Sequence, residues 1–135
     1  LWAGGLITVG FLAAPTLFQL LDKVIAGQIA GRYFAQEAKL SLLLVAVLLL
    51  IERAIVRRPS GVVDGIAPPQ FSVNLALLLG VLFSVVVGYH VLQPLMEAAK
   101  QGQGRWSFLQ LHGVSMGFYA LRTVLVLVLA WRSAP

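Results

Sequence analysis

The chain has 135 residues, of which 59% are hydrophobic and 11% charged, with a formal net charge of +5 and a mean hydropathy of +0.90. Soluble domains carry roughly a quarter charged residues, so this is the composition of an integral membrane protein, long enough for one helical bundle and too short for a second domain. The ten basic residues are spread over loops and helix ends, where anionic lipid favours them, which gives no nucleic-acid role, and the absence of cysteine excludes disulfides, thiolate metal sites and cysteine nucleophiles.

The first span covers about residues 1–21, LWAGGLITVGFLAAPTLFQLL. It opens inside an apolar run with neither an initiator Met nor a charged flank, so residues are expected ahead of Leu1, and its length without a cleavage site argues against a removed signal peptide. Gly10 and Ala14 stand four apart and admit a close helix neighbour, while Pro15 removes a backbone donor and predicts a kink. The next stretch, Asp22 to Lys39, is too polar to span but rich in helix formers, with Ala26/Ala30 and Gly27/Gly31 each at a spacing of four. It predicts an additional helix, either lying in the interface or extending the second span outward.

The second span, about 38–56, centres on Leu40 to Ile51, only twelve uninterrupted apolar residues. It reaches a full crossing by including Glu52 and Arg53 or the Gly31 to Lys39 segment. Arg57 to Gln70 holds three prolines and two glycines and reads as coil with turns. The third span, about 71–96, carries Gly80, Ser84 and Gly88 at successive spacings of four, a small-residue seam for a neighbouring helix. Glu97 to Arg105 is a short polar connection, so spans three and four are expected to be antiparallel neighbours.

The fourth span runs from Trp106 to Trp131, with an aromatic residue at each end. At helical spacing, His112, Ser115, Tyr119 and Thr123 share a polar stripe flanked by Met116 and Arg122. Gly113, Gly117 and Ala120 form a small-residue stripe for packing, and Leu111, Val114, Phe118, Leu121 and Leu125 take an arc suited to acyl chains. The basic residues do not set the orientation decisively; the arginines around Arg57 favour that loop and both termini on the cytoplasmic side, and a bacterial inner membrane is the expected location.

Three groups carry possible chemistry. His90 and His112 each lie a few residues inside the ends of spans three and four, at one depth. Two such imidazoles suit axial ligation of heme b, or copper with Met116 as a third ligand; hydrogen bonding within the bundle is the simpler role for each. Arg122 falls near the midplane, where an arginine needs a partner, and Glu52 at the end of span two is the first choice, with Asn74 the second. Such an intramembrane pair serves structure, or gates a small-solute or metal transporter. Finally, Gly27/Gly31, Gly80/Ser84/Gly88 and Gly113/Gly117 supply helix-packing surface. The acidic residues are scattered, so no catalytic constellation is formed.

LWAGG followed by AAPTLF, then AGQIAGRYF, Gln93-Pro94 and FLQLHGVS together resemble the transmembrane protein 205-like family, also called domain of unknown function 4149. Trp2, Gly5, Pro15, Phe18, Gly27, Gly31, Phe34, Pro94, His112, Gly113 and Ser115 match its pattern, whereas Arg122 stands where that pattern has an apolar or amide residue. The resemblance implies a four-helix membrane protein without an established activity. A more distant similarity to copper-resistance D proteins and heme-carrying four-helix protoporphyrinogen oxidases implies heme or copper handling.

The sequence thus gives an all-α four-span bundle with an extra helix between spans one and two. Its expected function is that of a non-catalytic accessory or self-associating helix-packing component of a membrane assembly, in contact with the lipid bilayer and with further copies or a larger complex. Heme or copper handling through His90 and His112 is the first alternative and transport the second.

Overall fold

The computed structural model describes residues 1–56 and 72–134, so the Arg57 to Gln70 coil expectation lies outside the described residues. The described residues form four helices: α1 (Trp2–Leu20), α2 (Lys23–Val56), α3 (Val73–Lys100) and α4 (Phe108–Ser133). Among the described residues there is no strand, and α1, α3 and α4 are each long and apolar enough to cross a membrane. The protein is an all-α integral membrane bundle.

The additional helix expected after span one is the first half of α2, continuous with the second span over 34 residues, or about 51 Å. Nothing between Lys23 and Leu40 breaks it: the stretch contains no proline, and its polar residues are mostly good helix formers. The face that α2 buries, Ala26, Ala30, Glu37, Ala38, Ser41 and Val45, begins well below the expected boundary at 38. Its start is fixed by Asp22, whose side chain accepts from the Val24 amide at 2.9 Å and leaves only a two-residue link to α1.

α1 packs on α2 and α4, α2 on α3, and α3 on α4 along much of their length, closing a four-membered ring. α3 opens at Ser72, which accepts from the Leu75 amide at 3.0 Å and donates to Glu52. α4 opens on a capping box in which Ser107 and Gln110 satisfy each other's amides at 3.1 and 3.2 Å. In the connection between them Gly102 and Gly104 have φ of 73° and 97°, a region closed to most side chains, and Gln103 donates back to the Ala98 carbonyl at 2.9 Å.

α1 continues through Pro15. A wider, π-helical turn at Thr8–Ala13 precedes the proline, and a second such turn at Val86–Val91 precedes Pro94 in α3. Wider turns relieve the clash between a proline ring and the carbonyl of the preceding turn. The core has a main cluster of Leu6, Ala38, Val45, Val81, Val85 and Val126, and a smaller one of Leu92, Met96 and Leu111 beneath the α3–α4 connection.

Candidate functional site

Arg122 is the residue around which the interior is built. It lies fourteen residues past Phe108 in α4, and Glu37 lies fourteen past Lys23 in the parallel helix α2, so the two reach the same height. Arg122 Nη2 donates to Glu37 Oε2 at 2.6 Å, with each side chain only 7% exposed. Glu37 Oε1 accepts from the Ser41 hydroxyl, one turn further along α2, and Ser41 in turn accepts from the Trp2 indole N–H at 3.0 Å.

Tyr119 lies beneath the guanidinium, 4.8 Å from its ring centroid, and Phe34 meets the same ring edge-on at 5.3 Å. The Tyr119 hydroxyl donates to the Leu6 carbonyl at 2.6 Å, next to the wide turn of α1, and Thr123 Oγ1 donates to the Tyr119 carbonyl at 2.9 Å. Gly10 makes this approach possible, because any Cβ there would collide with the Tyr119 ring. The network thus joins α1, α2 and α4 through one charge pair. An arginine at this depth costs at least about 2.5 kcal/mol without a partner, and the carboxylate, the ring and the buried hydroxyl supply that partner. Arg122 Nε has no hydrogen-bond partner among the described residues.

This pairing corrects the expected one. Glu52 does not reach Arg122: it lies fifteen residues beyond Glu37, about 22 Å further along α2, and holds Ser72 instead. Asn74, the second choice, accepts from Arg132 Nε at 3.2 Å. With span two expected to start at about 38, Glu37 falls in the preceding segment, expected to lie in the interface or to extend that span outward. The signal for it lay in Ala26, Ala30, Glu37 and Ser41, which share one face of a helix.

His90 and His112 both point out of the bundle. His90 meets Tyr89 edge-on at 5.2 Å, and His112 stacks on Phe108 at 5.7 Å with the planes 13° apart. Both are exposed, as is Met116, one turn beyond His112. Each imidazole packs on an aromatic of its own helix, and neither has a hydrogen-bond partner among the described residues, so they are not the bundle hydrogen-bonding groups expected. Among the described residues no group of three or more His, Asp or Glu side chains converges.

The glycine seams divide into two kinds. Gly80 faces Leu125 and Gly88 faces Phe118, each 3.2 Å from where a Cβ would stand, and Ser84 is buried between them, so the α3 seam is filled by α4. Gly27, Gly31, Gly113 and Gly117 face open space. The expected faces of α4 are therefore partly exchanged: Leu111, Phe118 and Leu125 pack inward, Val114 and Leu121 stay exposed as expected, and the small-residue stripe faces outward. Bulky side chains bury more apolar area in the core than glycine can.

α2 also carries an outward polar strip that the sequence pattern did not single out. At roughly 100° per residue, Gln28, Arg32, Gln36 and Lys39 fall on the side opposite Ala26, Ala30 and Glu37, and all four are exposed. An open groove of about 260 Å³ runs past Ile29, Arg32, Tyr33 and Gln36. The Trp2–Ser41, Leu6–Tyr119 and Glu37–Arg122 contacts fix the relative heights of the helices. Arg32, five residues below Glu37, consequently lies level with the middle of α1, where Leu6 to Pro15 has Thr8 as its only polar side chain.

No curated protein and no solved structure matches the chain. The family model described as domain of unknown function 4149 matches residues 1–105. That match takes in α1, α2 and α3 with Glu37, Ser41 and the outward strip, and the chain is a member of the domain of unknown function 4149 family.

Proposed function

We propose that this protein is a non-catalytic, helix-packing component of a larger membrane assembly. The observation that carries this reading is the outer face of α2, where Gln28, Arg32, Gln36 and Lys39 stand exposed at a height where the adjoining helix α1 is almost wholly apolar. Hydrocarbon is a costly surrounding for such side chains, and intramembrane charges generally face protein or a water-filled cavity. The open seams at Gly27/Gly31 and Gly113/Gly117 offer backbone surface for neighbouring helices. The buried network of Arg122, Glu37, Ser41, Tyr119 and Trp2 acts here as the internal lock that keeps the bundle rigid while its outside is occupied.

The test is the mass of the particle in its own membrane. Protein extracted in polymer-bounded native lipid discs and measured by native mass spectrometry is expected to be found above the 14.5 kDa of one chain, with further copies or a second polypeptide. A lone chain in those discs overturns the proposal.

A further inference from the structure

We infer that the outer face of α2 docks a transmembrane helix of a different protein, one that carries a carboxylate near mid-depth of the bilayer. The inference rests on the reading of the chain as an assembly component and names the chemistry of its partner. Two exposed cations, Arg32 and Lys39, and two exposed amides, Gln28 and Gln36, form the strip. Beside it run Gly27, Gly31 and Ala35 at successive spacings of four, with open space where the Cβ atoms of both glycines would stand. A helix laid along the small residues would bring its side chains against the guanidinium and both amides. A carboxylate at that point accepts two hydrogen bonds from Arg32 at once, the geometry in which arginine binds carboxylates most strongly.

Charge complementarity selects this occupant over a second copy. Among the described residues the carboxylates of this chain are engaged or displaced: Glu37 is held by Arg122 and Ser41, Glu52 by Ser72 and Glu97 by Lys100, while Asp22 caps α2 about 15 Å below Arg32. Two copies meeting through this face would set cation against cation. A lipid headgroup does not fit either, since Arg32 lies about 15 Å, or half the hydrocarbon thickness, along α2 from its charged end at Asp22 and Lys23.

The absence of cysteine makes the experiment direct. A single Gln103→Cys in the exposed α3–α4 connection takes a donor dye, and acceptor-labelled polyleucine peptides of roughly 23 residues, with Glu, Gln or Leu at the centre, are titrated in phosphatidylcholine vesicles. The Glu peptide is expected to associate about tenfold more tightly than the Leu peptide. That preference is expected to disappear in Arg32→Leu and to be reduced but retained in Arg32→Lys, which keeps the charge and loses the paired hydrogen bonds. Gly31→Leu, which fills the small strip, is expected to weaken every peptide alike. Arg32 is exposed, so its variants keep the helix content seen by circular dichroism; a variant that loses it is replaced by Lys39→Leu, expected to diminish the same preference. Equal association of the three peptides, or a preference for Glu unchanged in Arg32→Leu, overturns the inference. Energy transfer between two differently labelled populations of the protein, abolished by Arg32→Leu, would assign the face to a second copy, overturning this inference while the assembly reading stands. A lone chain in native discs would remove the assembly reading itself.

Discussion

Arg122 shows how much a single buried charge demands of its surroundings. Its partner contributes less to net stability than its removal would cost, because desolvation offsets most of the Coulombic gain, whereas an orphaned charge carries the whole penalty. Glu37→Leu or Arg122→Leu alone is therefore expected to lower stability by about 3–5 kcal/mol, and the double variant by less than either single one. Reversible unfolding in mixed micelles, followed by circular dichroism across the parent protein and the three variants, measures this; a double variant as damaged as the sum of its parts would refute it. The need for a partner was legible in the sequence, since an arginine nine residues before Trp131 must lie deep. The partner's identity was not. Glu52 and Glu37 are the same acid on the same helix, and only the relative height of α2 and α4, which sit across the ring from one another and are held through α1 and α3, decides between them.

Among the elements, α1 and α4 show opposite uses of glycine. Gly10 accepts the ring of Tyr119, so Gly10→Ala is expected to cost about 1–3 kcal/mol by overpacking. Gly117 meets nothing, so Gly117→Ala is expected to leave the stability of the isolated chain unchanged in the same unfolding measurement. Spacing alone cannot separate these cases, because both lie in apolar helices beside other small residues. The existence and order of the helices were legible because apolar runs long enough to cross a bilayer have few alternatives to helix. The faces were less so. On a helix that is apolar all round, periodicity is weak, and the inward face of α4 went to Leu111, Phe118 and Leu125 because larger side chains fill the space against α3. The same weakness concealed the polar strip of α2, whose depth follows only from α1 lying alongside it.

For the molecule as a whole, the closed ring brings α1 and α4 into contact, and that contact carries the longest-range hydrogen bond among the described residues, from the Tyr119 hydroxyl to the Leu6 carbonyl. It runs beside the pair of Glu37 and Arg122. During synthesis Leu6 and Glu37 emerge from the ribosome long before Tyr119 and Arg122, so the first two helices enter the bilayer with a carboxylate awaiting its cation. A chain ending at Arg105 is expected to be degraded faster than the complete one in a pulse-chase measurement, with Glu37→Leu lengthening its lifetime and α4 supplied as a separate segment doing the same. Equal lifetimes for the short and complete chains would refute this. Arrival of α4 is then itself the event that closes the bundle, and a quality-control protease that reads unpaired intramembrane charge would distinguish closed bundles from open ones without inspecting their surface.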